Sequence, residues 1–337
     1  MNQPAAAPDQ VCIPALAVGG SMVRRRHVLS VLDLSPQEVL YLCRRAVRIK
    51  HASPDPQTLR GRTVGVYFRK SSTRTRTAFT AGAGRLGATV VTFGPDDLQT
   101  TTGETLEDTA RTLAGYLDVL VMRTNGSADE MKKFAAHPGM SAVNALNEDE
   151  HPTQALADLT TLLEHFGRLE GLDVLYCGEG NKSAAALALA MSRIPGTRLT
   201  LATPEGYGVP ERTLAAARAM ATDHGTVVDQ THDASRLPRG VDVVYTSRWQ
   251  EMGVGKPDPE WRARFLPFRV TRELMRRVQK PRGTVFMHDL PAVRGEDVDD
   301  EVLDGPQSLA WVQAQHKLFS AMSVLEWCGV GAVDDET

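Results

Sequence analysis

The sequence predicts an α/β protein made of two open domains, each built on a parallel sheet surrounded by helices. Three observations predict this class. At 337 residues the chain is long for a single core, so two domains are the default expectation. Short runs rich in Val and Leu recur in both halves of the chain, and most gaps between them hold helical patterns. Runs of this composition, without strict alternation, are typical of parallel strands that are buried on both faces.

The predicted strands fall into two sets along the chain. The first set comprises residues 63–68, 88–93, 118–123 and 141–146, and the second comprises 172–178, 198–203, 225–230, 241–247 and 283–291. Both sets indicate an open, Rossmann-like sheet. A helix that starts near residue 151 is expected to bridge the two domains. The helical stretch AQHKLFSAMSVLEW is expected to pack back on the first domain.

These elements divide the chain into a first domain at residues 25–150, completed by a C-terminal helix at 306–330, and a second domain at 151–305. Residues 1–24 are interpreted as a flexible extension, because their basic cluster follows the apolar stretch, whereas a secretory signal has its positive charges first. The segment 250–268 is long, polar and punctuated by Gly and Pro, which indicates a mobile loop at the substrate.

Composition argues against some classes of function. The 38 Lys and Arg residues against 41 Asp and Glu give a formal net charge of −3, whereas a nucleic-acid-binding protein normally carries a strongly basic face. No apolar run reaches the roughly 18 residues that a membrane span needs. The four cysteines are isolated and lack the spacing of a zinc site, which favours free thiols in a reducing cytoplasm.

The stretch YFRKSSTRTRTAF combines positive charge and hydroxyls at the end of the first predicted strand. A helix follows, and Ser71, Ser72 or Thr73 would cap it and leave backbone N–H groups free at its positive end. Such a helix end binds anions, above all phosphate, and a guanidinium adds paired donors that match phosphate oxygens. Arg74 and Arg76 point to nearly opposite sides of a helix, so Arg74 is assigned to the ligand. Solvated arginines at the start of a surface helix are the alternative from spacing alone.

Three more polar groups lie at or just after the ends of predicted strands, where ligands of open α/β sheets bind. Arg123 ends one strand and needs an anionic partner if it is buried, which a structural salt bridge would also supply. Pro152 fits the first turn of a helix, so His151 would lie at its cap with Gln154 one turn on, both facing one small polar group. Asp289 follows the last strand, where its carboxylate could bind a cation or an amine, or cap a turn.

Together the four motifs resemble the aspartate/ornithine carbamoyltransferase family, and within it the ornithine carbamoyltransferase branch. FRKSSTRTR resembles its specific carbamoyl phosphate signature, and TGETLEDTARTL, HPTQALADL and HDLPAVRGEDVDDEVLDGPQS extend the resemblance over roughly residues 27–328. The resemblance implies an enzyme with its active site in the cleft between two α/β domains. It also implies a homotrimer with active sites at subunit interfaces, and neither a metal nor an organic cofactor.

The resemblance also assigns roles in binding carbamoyl phosphate. The first turn of the helix and a second guanidinium would hold the phosphate, and the bridging helix and the last strand would hold the carbamoyl group. The residues in these roles are Ser72, Thr73, Arg74, Thr75, Arg123, His151, Gln154, Leu290 and Lys317. Arg74, Thr75 and His151 would also stabilise a tetrahedral oxyanion, while the departing phosphate accepts the proton of the amine.

The acceptor half of the predicted site comprises Asn181, Ser247, Met252 and Asp289, and Asp289 is also counted among the catalytic residues. Two of these positions depart from the ornithine enzymes of the family, which carry a cysteine in place of Asp289 and an aspartate in place of Ser247. Lys317 aligns with a family arginine. These changes remove a counter-charge for an α-ammonium and place a carboxylate close to where the nucleophilic amine arrives.

We therefore expect the acceptor to be a diamino acid or a peptide-bound amine of specialised metabolism, such as the 2,3-diaminopropionyl group of a peptide antibiotic. The alternative is an ornithine carbamoyltransferase of arginine metabolism. A homologue that binds without catalysis is a further alternative, although STRTR and HPTQ are intact. The GxG turn of GEGNKSAAALA suggests a dinucleotide site, but the third glycine of that motif is missing.

Overall fold

The structure, a computed structural model, describes residues 25–52, 55–250 and 255–333. Its first half is a parallel sheet with the spatial order β2-β1-β3-β4. The strands are β1 (Thr63–Phe68), β2 (Thr89–Phe93), β3 (Val119–Arg123) and β4 (Ser141–Leu146). The helices of this half are α1 (Pro36–Ala52), α2 (Arg74–Arg85), α3 (Leu106–Ala114) and α4 (Ala128–Ala135).

Helix α5 (Pro152–Phe166) leads into a second parallel sheet with the spatial order β7-β6-β5-β8-β9. Its strands are β5 (Asp173–Cys177), β6 (Arg198–Ala202), β7 (Val227–Thr231), β8 (Val243–Thr246) and β9 (Val285–His288). The helices are α6 (Lys182–Met191), α7 (Glu211–Thr222), α8 (Trp261–Phe265), α9 (Arg272–Val278), α10 (Asp300–Leu303) and α11 (Ala310–Gly329). The two parallel sheets confirm the predicted fold class, and each predicted strand contains or overlaps an observed one.

Helix α5 joins the two halves and is buried along most of its length. Pro152 occupies its first turn, and every residue from 152 to 162 is buried. The helix packs against α1, α6, α11 and β4. A helix enclosed in this way must be apolar or must satisfy its polar side chains with buried partners.

Helix α11 ends the described fold and returns to the first half of the chain, where it packs against α1, α2 and α5. Gly82 permits the close approach of α2, because a Cβ at this position would lie 2.9 Å from Cγ of Met322 on α11. One cluster of buried apolar side chains includes Val64 of the first sheet and Val174 of the second. The cavity described below therefore lies between halves that share a continuous core.

The prediction of a polar loop over residues 250–268 is wrong in part. Residues 251–254, which include Met252, lie outside the described residues. The remainder contains α8 and a 3₁₀ turn at Leu266–Phe268. Trp261 and Phe265 of α8 are buried in a cluster with Trp249. Burial of these aromatic side chains holds this part of the segment against the second half of the chain, which the pattern of Gly and Pro did not indicate.

The structure also bears on the cysteines and on membrane-spanning helices. The extension predicted at residues 1–24, with Cys12 in it, lies outside the described residues. Cys43, Cys177 and Cys328 are free and buried, and burial raises the pKa of each thiol to about 12. In the described part of the chain, no helix combines the length and the apolar character needed to cross a membrane.

Candidate active site

A cavity of about 360 Å³ opens where the carboxyl ends of β1, β3, β8 and β9 meet the first turns of α2, α5 and α6. The carboxyl ends of parallel strands are where ligands of open α/β folds bind, and here the strand ends of both sheets meet. Both halves of the chain and one residue of α11 contribute to the lining. The lining residues are Lys70–Thr75, Arg123, Asn125, Leu146, His151, Gln154, Asn181–Ser183, Arg248, Gln250, Asp289–Pro291 and Lys317.

The first turn of α2 lies directly after β1 and faces the cavity. Thr73 occupies the N-cap position, but its side chain makes no capping hydrogen bond. The first backbone N–H groups of α2 therefore have no side-chain cap at Thr73 and can donate to a ligand. The positive end of the helix favours an anion there. Arg74 lines the cavity, whereas Arg76 is not among the described lining residues. Arg74 thus remains the candidate for a contact with an anion at this helix end.

Positive charge dominates the cavity. Among the described lining residues Asp289 is the sole acid, against six cations: Lys70, Arg74, Arg123, Lys182, Arg248 and Lys317. The Nη1 group of Arg123 donates to Oγ of Ser72 over 3.4 Å, which places a second guanidinium beside the first turn of α2. Burial lowers the pKa of Arg74, and the carboxylate of Asp289 opposes this shift. Cations gathered in this way are stabilised by a dianion, since each favours an opposite charge nearby.

His151, Gln154 and Lys317 form the buried part of the cavity. His151 is the N-cap residue of α5 and is 4% exposed. Burial lowers the pKa of His151 well below its ordinary value, and the positive charges of Lys317 and Arg123 lower it further. The imidazole is therefore neutral near pH 7, so one ring nitrogen donates and the other accepts. Lys317 donates a hydrogen bond to Oε1 of Gln154.

Asp158 lies behind Gln154 and does not line the cavity. It is fully buried, and its Oδ1 accepts a hydrogen bond of 2.7 Å from Nε2 of Gln154. Sequence analysis missed this residue. The available signal was its position four residues after Gln154, on the same face of a helix whose surrounding residues are largely apolar.

The second-sheet side of the cavity carries Asn181 and Asp289, two of the four residues predicted to bind the acceptor. Oδ2 of Asp289 accepts a hydrogen bond of 2.8 Å from the hydroxyl of Ser183. Asn181 caps α6, since its Oδ1 accepts from the backbone N–H of Ser183 at 3.0 Å. The amide of Asn181 also donates to Oγ of Ser247 over 2.7 Å.

Ser247, which was predicted to bind the acceptor, lies outside the cavity lining in the described structure. Ser247 is 1% exposed and is not among the residues that line the cavity. Its hydroxyl hydrogen-bonds with the hydroxyl of Tyr176 at 2.5 Å and accepts from Asn181. Just after the end of β8, Ser247 is thus buried, and its hydroxyl accepts a hydrogen bond from the amide of Asn181, which lines the cavity.

Several lining residues were not singled out by sequence reasoning. Lys70 lies within the first motif, while Arg248 and Gln250 directly follow β8, so their positions at strand ends were the signal. Asn125 also lines the cavity, with a backbone φ of 57°. Leu290, which was predicted, lies at the cavity with φ of 55°, and its N–H donates to Nδ1 of His288 at 2.8 Å.

The GxG turn after β5 has a packing role in this structure. A Cβ at Gly180 would lie 2.0 Å from the backbone nitrogen of Val209, so this glycine allows two backbone segments to pack closely. The geometry thus gives the motif an explanation without a dinucleotide. Within the described residues, no group of three or more His, Cys, Asp or Glu side chains is placed to hold a metal ion.

The chain matches two family models that together span most of its length. The model for the carbamoyl-P binding domain of aspartate/ornithine carbamoyltransferases matches residues 26–164. The model for the Asp/Orn binding domain of the same enzymes matches residues 170–328. The chain belongs to the aspartate/ornithine carbamoyltransferase family.

Relatives and solved structures agree with this membership. An ornithine carbamoyltransferase from Caldicellulosiruptor saccharolyticus is 36% identical over 312 residues, which cover 91% of this chain and all of the relative. One from Rhodococcus opacus is 36% identical, covering 90% of this chain and 95% of the relative. The structure of ornithine carbamoyltransferase from Pyrococcus furiosus superimposes with a TM-score of 0.84 at 34% identity, covering 92% of this chain and 99% of that one.

Membership of the aspartate/ornithine carbamoyltransferase family makes this chain an enzyme and a carbamoyltransferase. The cavity lies where the two matched regions meet, with α2 and the start of α5 in the first and α6, β8 and β9 in the second. The family's carbamoyl-P binding region thus coincides with the half that carries the first turn of α2.

Arg74→Ala is expected to weaken binding of carbamoyl phosphate by about a hundredfold, because charge-assisted bonds from a guanidinium contribute about 1.5–3 kcal/mol. Arg76→Ala is the matched control, since Arg76 lies two residues on in α2 and is not among the described lining residues. Titration calorimetry measures binding, and thermal unfolding tests the fold. Loss of folding in Arg74→Ala, or an equal loss of affinity in both variants, would contradict the assignment.

Proposed function

We propose that this carbamoyltransferase moves the carbamoyl group of carbamoyl phosphate to a primary amine and releases phosphate. The observation that carries the proposal is the cavity itself. It combines an uncapped helix N-terminus, three guanidiniums and three lysines with a neutral imidazole and a carboxamide. The helix N-terminus and the cations match a phosphate dianion, whereas the imidazole and the carboxamide match a small polar carbonyl compound.

The proposed binding roles follow the geometry. The phosphate lies at the first turn of α2, bonded by Ser72, Thr73, Arg74 and Thr75, with Arg123 as the second guanidinium and Lys317 beside the carbamoyl group. His151 donates to the carbamoyl oxygen, and Gln154 and the backbone around Leu290 accept from its NH2 group. Residues 25–150, completed by the helix of 306–330, form the phosphate end of the donor site in this proposal. Residues 151–305 bind the acceptor, and their His151, Gln154 and Leu290 complete the donor site at the carbamoyl end.

The proposed reaction needs no dedicated protein base. The lone pair of a neutral amine attacks the carbamoyl carbon, and the carbonyl oxygen becomes an oxyanion. Arg74, Thr75 and His151 donate to that oxygen, a role worth about 3 kcal/mol per donor. The bond from carbon to the phosphate oxygen then breaks, and the departing phosphate takes the proton lost by the amine. Holding both substrates in one cavity contributes much of the remaining acceleration.

Ornithine is the first acceptor to consider, because the similar proteins are named as ornithine carbamoyltransferases. The second candidate is a shorter diamino acid or a peptide-bound amine, such as a 2,3-diaminopropionyl group in antibiotic biosynthesis. Asp289 favours this second candidate, since it places a carboxylate at the cavity where the amine would arrive. Under either candidate, the enzyme works in the cytoplasm, without a metal, an organic cofactor, a nucleic acid or a membrane as partner.

Release of phosphate from carbamoyl phosphate is expected with one class of amine in a panel of acceptors. The panel contains ornithine, 2,3-diaminopropionate, 2,4-diaminobutyrate and a peptide that carries a 2,3-diaminopropionyl side chain. The measurement is kcat/KM for each acceptor, with the carbamoylated product identified by mass spectrometry. Ornithine leading by about a hundredfold or more would exclude the second candidate, because such ratios correspond to differences of about 2.7 kcal/mol in transition-state binding. Turnover of none of these amines would sink the proposal.

Asp289→Cys is expected to change the order of acceptors while leaving affinity for carbamoyl phosphate within about threefold, since the carboxylate lies on the acceptor side of the cavity. Asp289→Asn is the matched variant, because it keeps the size of the side chain and a hydrogen-bond acceptor for Ser183. Steady-state kinetics with both substrates varied gives the two KM values. A change confined to the KM for carbamoyl phosphate would place Asp289 in the donor half instead.

We also propose a homotrimer with active sites at subunit interfaces. The support for this proposal is the resemblance to the carbamoyltransferase family, which implies a trimer with shared sites. Sedimentation velocity across a range of concentrations is expected to give a species of three times the chain mass. A monomer that is fully active at the lowest concentration would contradict shared sites.

A further inference from the structure

Asp158 is the meeting point of three hydrogen-bond donors in the interior of the protein. Its Oδ1 accepts from Nε2 of Gln154 and from Nε2 of Gln313, both at 2.7 Å. Its Oδ2 accepts from the hydroxyl of Tyr245 at 2.9 Å. The residue is fully buried and does not line the cavity, so any effect of Asp158 on a ligand passes through its partners.

The two neighbours of Gln154 select one orientation of its amide. An ionised carboxylate accepts hydrogen bonds and cannot donate them, whereas an ammonium donates and cannot accept. With Asp158 on one side and Lys317 on the other, the NH2 group of Gln154 must face Asp158 and the carbonyl oxygen must face Lys317. Gln154 and Lys317 both line the cavity, so Gln154 presents an acceptor there and keeps its donor in the core.

We propose that Asp158 is a positioning residue that makes the site selective for a carbamoyl group over other acyl groups. By holding the amide of Gln154 in one orientation, it aims a carbonyl oxygen at the NH2 group of carbamoyl phosphate. Acetyl phosphate has a methyl group at that place and gains nothing from the oxygen. The inference rests on the proposed function, because it takes carbamoyl phosphate as the donor substrate.

The same carboxylate ties Gln154 to the strand that carries the acceptor side. Gln313 donates to Asp158 and to Tyr245, and its Oε1 accepts from the backbone N–H of His288 at 2.9 Å. His288 ends β9 and precedes Asp289. The orientation of Gln154 is therefore fixed relative to both halves of the cavity.

The positioning role depends on the ionised form of Asp158. Burial raises its pKa above the ordinary value, and the charge of Asp289 raises it further, whereas the hydrogen bonds from Gln154, Gln313 and Tyr245 lower it. Lys317, across Gln154, is the cation that faces this group. A protonated Asp158 can donate to Gln154 and release its amide. Selectivity for the carbamoyl group is therefore present above the raised pKa and lost as the pH falls through it.

The test compares two donors that differ in one group. Dissociation constants of carbamoyl phosphate and acetyl phosphate are measured by calorimetry between about pH 5 and pH 8. This range covers the raised pKa of Asp158, and it stays at or below the pKa of Lys317, which burial lowers to about 8. Protonation of the phosphate itself affects both ligands alike, so the ratio of the two constants isolates the NH2 group. In the natural protein, the ratio is expected to favour carbamoyl phosphate and to fall as the pH is lowered.

Asp158→Ala is expected to reduce this ratio by about tenfold while changing the affinity for acetyl phosphate by less than about twofold, as loss of one oriented hydrogen bond predicts. Asp158→Asn retains an oxygen for Gln154 but does not titrate. It is expected to restore most of the ratio and to abolish its dependence on pH. Thr161→Ala is the matched control, since Thr161 is also buried on α5 and its hydroxyl bonds to the backbone of Ala157.

Each alternative result has a defined meaning. Equal losses for both ligands in Asp158→Ala would show a structural role alone and overturn the inference. A ratio that keeps its pH dependence in Asp158→Asn would also overturn it, and this measurement stands even where the alanine variant does not fold. Absence of carbamoyl phosphate binding to the natural protein would instead overturn the proposed function.

Discussion

The site depends on the burial of α5, a helix that is enclosed by both halves of the chain. A side chain on such a helix can be polar only where it finds a partner, because a buried group without one costs about 1–3 kcal/mol. Only its first turn reaches the cavity, and that turn carries His151 and Gln154. Asp158, one turn further in, satisfies Gln154 with a buried carboxylate. Gln154 and Asp158 thus connect the cavity to the core through one hydrogen bond along α5.

A second constraint comes from the positive charge of the cavity. The cations that line it repel one another as long as no anion is bound. Burial and neighbouring cations lower the pKa values of His151 and Lys317, while Asp289 and Asp158 oppose this at Lys317. A dianion relieves the repulsion on binding, so part of its binding energy is already prepared in the free protein. His151 stays neutral under these conditions, which suits a hydrogen-bond donor better than a proton carrier.

Sequence reasoning succeeded where one local rule decides the outcome. Runs of Val and Leu located the strands. The spacing of two residues between Arg74 and Arg76 predicted that only one of them faces the cavity, and Arg74 lines it. It failed where long-range packing decides. Whether Ser247 points into the cavity or away from it depends on how β8 ends against Tyr176, which no local pattern shows. Asp158 was missed for the same reason, since its partners Gln313 and Tyr245 are distant in the chain.

On the acceptor side of the cavity, a buried residue also holds a lining residue in place, so a substitution behind the cavity can alter its lining. Ser247 does not line the cavity, yet its hydroxyl holds the amide of Asn181, and the carbonyl of Asn181 caps α6. Because both ends of that amide are engaged, the orientation of Asn181 is set by the end of β8 and by the helix together. An acidic residue in place of Ser247 would add a buried charge next to Tyr176 at a cost of several kcal/mol unless it reached a cation. A substitution at position 247 would therefore act on the cavity through the amide of Asn181, which lines it.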